Sequence, residues 1–225
     1  MEQNKELSII IPHYILDDDI FRLVKKNIKS IKKHTNYPFE IVAIDNATPN
    51  SKYSNWIRKH SDIYIRNEEN RGNPGGWNDG IRISNGKYLC FMDNDVEVLK
   101  NWINPLIDIL QDNKVAVAFP SSKNYRHEDD YFVKLSGFCW ITTKDKIDKV
   151  GMFDEKYNPG NFEDTDWYMR AKQLGYELVC STTGRVDHWS RATTDKVKEI
   201  KDVYKRNEKY YFEKYDSLPM LDRVI

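Results

Sequence analysis

Two aspartates, Asp93 and Asp95, stand one residue apart where the apolar run YLCFM (88–92) ends. Residues i and i+2 of an extended chain project to the same side. Two carboxylates placed so repel each other unless a cation or a proton lies between them. Hard oxygen donors of this kind suit magnesium or manganese, which take few protein carboxylates and keep positions for phosphate oxygens. The competing reading is a solvated turn that contains two acids, because Asp-x-Asp is a short motif.

A second acidic cluster lies in NFEDTDWYMRA (161–171). With a helix opening near Glu163, residues Asp164, Trp167 and Ala171 share one face at i, i+3 and i+7. The tryptophan and alanine favour the core, so Asp164 should point inward at the rim of a sheet. There it could serve as a general base, or only as a capping carboxylate. Glu163 is turned about 100° around that helix, away from the Trp167 face. Asp166 and Arg170, at i and i+4, read as an ordinary surface pair. His188, in GRVDHWSR, follows the last core strand and is either a ligand or a structural neighbour of Trp189.

Weaker features stand earlier in the chain. Asp45 ends the run FEIVAID (39–45), beside the loop Pro12–His13–Tyr14 that follows LSIIIP (7–12). The segment NRGNPGGWNDG (70–80) offers glycines, Arg71 and a helix start. Backbone donors at such a start suit phosphate. The segment matches neither the Gly-x-Gly-x-x-Gly fingerprint nor a Walker loop.

These residues need elements to hold them. Strands are expected at 7–12, 39–46, 62–67 (a short one) and 87–93, the first reading as buried, alternating with helices. In the first helix Ile20, Val24, Ile28 and Ile31 recur at helical spacing behind Asp17, Asp18 and Asp19. Further helices are expected at 51–60 and 75–84. This alternation predicts an α/β fold, Rossmann-like, with a mainly parallel sheet flanked by helices. Ligands of open α/β sheets gather beyond the carboxyl ends of the strands, where Asp45, Asp93 and Asp95 stand. Beyond Asp95 the pattern predicts a helix at 101–111, a strand at 115–120, an exposed loop at 121–130, one or two strands in 132–143 and a helical KDKIDKVG. The helix of the second acidic cluster, a strand ELVCST and a charged helix from about Asp195 complete the chain.

Composition narrows the function classes. The 225 residues carry 35 Lys plus Arg against 35 Asp plus Glu, a formal net charge of zero, so no basic nucleic-acid groove is predicted. With 40% hydrophobic residues a full core and one domain are expected. The three cysteines, Cys90, Cys139 and Cys180, lie far apart in apolar stretches and read as buried thiols. No apolar run approaches membrane-spanning length, so a cytoplasmic protein, or one peripheral at a membrane, is expected.

In order and spacing, SIIIPHY, IVAIDNAT, NRGNPGGWNDGI, YLCFMDNDVEV, FEDTDWYMRAKQLGY and VDHWS resemble the family-2 glycosyltransferases of GT-A fold, in particular the rhamnosyl- and galactofuranosyl-transferase-like branch. The resemblance implies one GT-A domain over 1–225, with a nucleotide-binding half (1–95), an acceptor and catalytic half (96–192) and a helical tail (193–225). It implies Pro12, His13, Tyr14 and Asp45 around the nucleobase and ribose, with Arg71, Asn78 and Asn94 along the nucleotide sugar. Asp93, Asp95 and His188 would hold Mn2+ or Mg2+, and Asp164 would be the catalytic base. Glu163 and Trp140 would support it or face the acceptor. The implied reaction is inverting transfer from a UDP- or dTDP-sugar to a glycan, lipid-linked glycan or protein hydroxyl. Two alternatives stay open: a non-catalytic sugar-nucleotide or glycan-binding module on this scaffold, and a haloacid-dehalogenase-like phosphatase. In the phosphatase the strand ending in Asp-x-Asp normally opens the chain, whereas here three strand units precede it.

Overall fold

The computed structural model describes residues 5–124, 135–189, 193, 196 and 200–225. Its first part alternates as expected: β1 (Leu7–His13), α1 (Asp18–His34), β2 (Phe39–Asp45), α2 (Ser51–His60), β3 (Ile63–Arg66), α3 (Gly72–Ile83) and β4 (Tyr88–Met92). All of β1 and all of β4 are buried, as continuous apolar runs covered on both faces should be. In α1 the Asp17 carboxylate accepts from the Asp19 and Ile20 amides, acids fill the first turn and Lys32, Lys33 and His34 the last. Ile20, Val24, Ile28 and Ile31 are all buried. Helix α3 starts three residues earlier than the predicted 75, because its glycine-rich first turn carries no apolar periodicity to read.

The second part runs β5 (Val96–Val98), α4 (Asn104–Ile109), β6 (Val115–Asn124), β7 (Cys139–Thr143), α5 (Lys144–Val150), a 3-10 turn (Glu155–Tyr157), α6 (Glu163–Gln173), β8 (Glu177–His188), α7 (Ile200–Lys214) and β9 (Arg223–Val224). The sheet order is β3-β2-β1-β4-β7-β6-β8-β5, with β9 on β8. β1 to β4 pair in parallel, whereas β7 runs antiparallel to both β4 and β6. The sheet is therefore mixed, with the expected parallel half at one side.

Three local expectations are corrected. The helix expected over 101–111 is confined to Asn104–Ile109 with Pro105 in its first turn, although Trp102, Leu106 and Leu110 are buried as their spacing requires. The exposed loop expected at 121–130 begins as strand: Ser121 and Ser122 are buried in β6, paired with Arg185 and Val186 of β8, and residues 125–130 lie outside the described set. Of the segment 132–143, Cys139–Thr143 is strand and 132–134 lie outside the description, as does the expected helix start at Asp195.

One face of the sheet carries an aromatic cluster of Trp77, Phe91, Trp140, Phe153, Trp167 and Tyr168, with Phe91 and Trp140 ring centroids 4.5 Å apart. The other face packs α1 and α4 residues against Ile9, Cys90 and Ile141. Between these layers the carboxyl ends of β1 and β4 open onto a cavity. No helix among the described residues is long and apolar enough to cross a membrane.

Candidate active site

The cavity measures about 340 Å³ and is lined from both halves of the chain, within the usual range for small-molecule sites. β1 delivers Pro12, His13 and Tyr14; the turn after β4 delivers Asp93, Asn94 and Asp95; β8 ends there with His188; and α6 begins there with Glu163 and Asp164.

The turn after β4 is held from two sides. The Asp93 amide donates to the Phe138 carbonyl at 2.8 Å. The fully buried Asn27 of α1 donates from Nδ2 to the Val96 carbonyl at 2.7 Å and reaches the Asp93 carbonyl at 3.4 Å. β5 pairs with β8 so that Val96 lies opposite His188, which brings the histidine beside the aspartates. Its ring stacks on Phe138, centroids 3.9 Å apart.

Asp93, Asp95 and His188 each offer a ligand atom, and these atoms lie within 4.8 Å of one another. Asp95 Oδ1 is 3.2 Å from His188 Nε2, yet it is buried and receives no well-directed hydrogen bond. Burial, followed by the nearby Asp95, Glu163 and Asp164, raises the Asp93 carboxyl well above the usual range. Two hard oxygens and an imidazole, one oxygen unpartnered and all crowded by negative charge, fit a divalent cation.

Glu163, though turned from the Trp167 face, also stands on the cavity wall. Its side chain is 3% exposed and lines the cavity, with Oε2 unpartnered. The chain enters α6 through left-handed Asn161 and Phe162, at φ 78° and 76°. This entry aims the first turn of α6 at the cavity, so Glu163 as well as Asp164 lies on its wall. Burial, then the Asp164 charge, pushes the Glu163 carboxyl up to about 8. Asp164 is raised by burial against hydrogen bonds from the Thr165 amide at 2.7 Å and hydroxyl at 3.2 Å. A Cβ on Gly137 would strike the Asp164 carboxylate, so only glycine allows this approach. Trp167 and Ala171 are fully buried, as their shared face requires.

Asp166 is not a surface residue. It is fully buried, accepting from Arg170 Nε at 2.8 Å, Tyr215 Oη at 3.2 Å and Tyr157 Oη at 3.3 Å, and from Lys214. The i,i+4 pair with Arg170 is real, but it faces the tail of the chain rather than water.

Four candidate residues lie outside the cavity lining. Asp45 is buried and accepts from Arg66 at 2.6 Å, Tyr64 at 2.8 Å and the Thr48 amide at 2.8 Å. Burial opposes its charge, but hydrogen bonds from Ser54, Thr48 and Tyr64 prevail and hold its carboxyl below the usual range. Arg71 is taken by Asp79 and, at 2.8 Å, by Glu155. Asn78 bonds the Phe153 amide and carbonyl at 2.9 and 3.0 Å. Trp140 belongs to the aromatic cluster, where it packs on Phe91 and Trp167. Asp45 and Arg71 are matched by side chains and Asn78 by the Phe153 backbone, while the Trp140 ring is enclosed by other aromatics; none of these neighbours is visible to a linear reading.

His13 is fully buried with both ring nitrogens unpartnered, and burial, opposed by Asp45, lowers it to about 4, so the imidazole is neutral. Asn46 and Asn73 are wall residues that motif reading passes over. Asn46 donates to the Gly72 carbonyl at 2.9 Å, and Asn73 reaches Asp93 Oδ1 at 3.4 Å. Pro159, Gly160 and Asn161 also line the cavity, as do Thr193, Ile200 and Tyr204 from the tail. The NPGN turn (158–161) was a readable cue; the tail residues offered none.

Similarity to known proteins agrees with this architecture. A mannosyltransferase from Pyrobaculum calidifontis, solved with GDP-Man and Mn2+, superposes with a TM-score of 0.70 at 12% identity, covering 97% of this chain and 67% of that one. GalNAc-T7, solved with UDP, GalNAc and Mn2+, gives 0.67 at 18% identity over 84% of this chain and 44% of that one. An Escherichia coli UDP-Glc:alpha-D-GlcNAc-diphosphoundecaprenol beta-1,3-glucosyltransferase is 28% identical over 129 residues, 56% of this chain and 49% of the relative. The chain thus spans about half the length of that relative. The profile described as glycosyl transferase family 2 matches residues 8–175. The chain belongs to glycosyl transferase family 2 and has the GT-A fold.

Proposed function

We propose that this cavity transfers a sugar from a nucleoside-diphosphate sugar to an acceptor hydroxyl, with a divalent cation and with inversion at the anomeric carbon. The observation that carries the reading is the joint placement of two unlike clusters in one cavity. Asp93, Asp95 and His188 form a ligand set, and Glu163 and Asp164 stand on a separate element within electrostatic reach of Asp93.

Asp93, Asp95 and His188 would hold Mn2+ or Mg2+. When bound, such a cation would supply positive charge to offset that developing on a departing diphosphate. Asp164, fixed by Thr165 and approached through Gly137, accepts the proton of the attacking hydroxyl. Glu163, whose carboxyl stays protonated to about 8, is poorly suited to that role at neutral pH and instead leaves one fewer negative charge near the diphosphate. A single carboxylate base acting on the acceptor implies inversion, by the geometric logic of inverting glycosidases.

The uncharged wall of Pro12, His13, Tyr14, Asn46 and Asn94 suits a nucleobase and ribose; in this reading 1–95 would serve the donor and 96–192 the acceptor and the base. UDP- or dTDP-hexoses and deoxyhexoses are the favoured donors, in line with the rhamnosyl- and galactofuranosyl-like motifs. Acceptors would be a glycan, a lipid-linked glycan or a protein. Family membership leaves the phosphatase reading unsupported. A panel of UDP-, dTDP- and GDP-sugars incubated with Mn2+ tests the proposal: release of nucleoside diphosphate, abolished by EDTA, supports it. Mn2+-dependent nucleotide binding with no release from any donor would instead indicate a binding module.

A further inference from the structure

We propose that α7 is a working wall of the site and that Asn207 is a positioning residue for the carboxylates of α6. The inference rests on the transferase reading above and concerns a helix beyond the 8–175 span that the family profile covers.

Asn207 lies in the middle of a charged helix, yet it is 1% exposed. Its Nδ2 group faces three backbone carbonyls: Tyr157 at 2.8 Å, Gly160 at 2.9 Å and Asn161 at 3.0 Å. Its Oδ1 accepts from Arg206 Nη2 at 2.9 Å, and the same Nη2 donates to the Asn158 carbonyl at 2.5 Å. One amide and one guanidinium therefore gather four carbonyls of the segment 157–161.

That segment needs an outside donor. Gly160 has φ 151° and Asn161 is left-handed, so their carbonyls lie outside any regular ladder, whereas the Phe162 carbonyl already accepts from the Asp166 amide of α6 at 2.9 Å. The Asn207 amide substitutes for that ladder. The consequence reaches the chemistry by two routes. The residue after Phe162 is Glu163, the first of α6, so the turn sets where both carboxylates project. The Pro159 carbonyl accepts from the Asn73 amide at 2.9 Å, and the Asn73 side chain reaches Asp93 Oδ1 at 3.4 Å.

α7 is anchored elsewhere as well, by Lys214 on the buried Asp166, and it presents Ile200 and Tyr204 to the cavity. The tail is thus fastened to α6 at its C-terminal end by Lys214, and Asn207 holds the turn that leads into α6. A helix built only to cap the fold would need no buried amide spread over three carbonyls of a cavity-lining turn.

The test compares wild type with Asn207→Ala by amide hydrogen exchange and by UDP-glucose hydrolysis in Mn2+ (or hydrolysis of whichever donor the panel finds). Exchange within 158–164 should accelerate about tenfold while amides of β1 and β4 keep their protection. Turnover per folded molecule should fall by about ten- to a hundredfold, the scale of a displaced catalytic group, while the affinity for UDP in Mn2+ changes by less than about threefold. Arg206→Gln, at a more exposed position, should move both readouts the same way by less; it decides the matter should Asn207→Ala not fold. Unchanged exchange at 158–164, or turnover equal to wild type, overturns the proposal. Should wild type hydrolyse no donor, the transferase reading fails while the exchange result still decides whether Asn207 holds the turn.

Discussion

Two acids on one helix, Asp164 and Asp166, show how burial can serve opposite ends. Asp166 is sealed away with Arg170, Lys214, Tyr157 and Tyr215 on its two oxygens. Two residues earlier, Asp164 is bonded among the described residues by its neighbour Thr165 and shares a cavity wall with Glu163, whose Oε2 has no partner. Asp45 and Asp93, at neighbouring strand ends, repeat the contrast: the first is matched by Arg66 and Tyr64, while the second faces three other carboxylates. Satisfied acids stabilise the scaffold; acids left unmatched at a cavity mark a place where a ligand must complete them.

The largest effect should come from breaking the unmatched side. Asp164→Asn keeps size and much of the hydrogen bonding but cannot take a proton, so transfer should drop by roughly a hundredfold or more. Thermal stability and UDP–Mn2+ affinity should stay close to wild type. Glu163→Gln, assayed beside it, should retain most activity; the reverse pattern would move the base to Glu163.

Breaking the matched side should cost stability instead. Asp166→Ala removes one buried acceptor shared by Arg170, Lys214 and the Tyr157 and Tyr215 hydroxyls, a loss of about 3 kcal/mol for a buried network. In a chain of this length that lowers Tm by roughly 6–12 °C. A Tm within a degree of wild type would show that the cluster is solvated after all.

A pH series sharpens the contrast. Glu163 holds its proton more tightly when folded, at about 8, than its ordinary carboxyl would unfolded, at 4.5. The folded state binds more protons between those values, so its stability is full below the lower and declines as pH rises toward the upper. In EDTA, Tm should therefore fall from pH 5 to pH 8, Glu163→Gln should flatten that slope, and Mn2+ should reduce it. A slope identical in wild type and Glu163→Gln would remove the assignment.

The smallest effect belongs to His188→Ala. As a third ligand it should weaken Mn2+-dependent UDP binding less than Asp95→Asn does. A loss of stability with unchanged metal dependence would make the histidine a packing partner of Phe138 only.

Much of this was legible in the chain. Strands β1, β2 and β4 were readable as short, nearly continuous apolar runs, and helix α1 because apolar residues recur there at the helical period. Asp93, Asp95, Asp164 and His188 converge because each sits at the carboxyl end of a strand or the first turn of a helix. Position within an element could be read; pairing could not. Nothing in the linear chain says that Arg66 reaches Asp45, that Lys214 reaches Asp166 across 48 residues, or that Asn207 spans a turn near position 160. Strands β5 and β9, of three and two residues, are too short to show a period.

If Asp93 and Asp95 hold a cation against a diphosphate, nucleotide affinity must depend on both the metal and these carboxylates. Titrating UDP into wild type and Asp95→Asn by calorimetry, once in Mn2+ and once in EDTA, tests it most directly. The expected result is clear binding by wild type in Mn2+, at least tenfold weaker binding by the variant, and little difference between the two proteins in EDTA. Equal affinity of wild type and Asp95→Asn in Mn2+ would show that the pair holds no such cation.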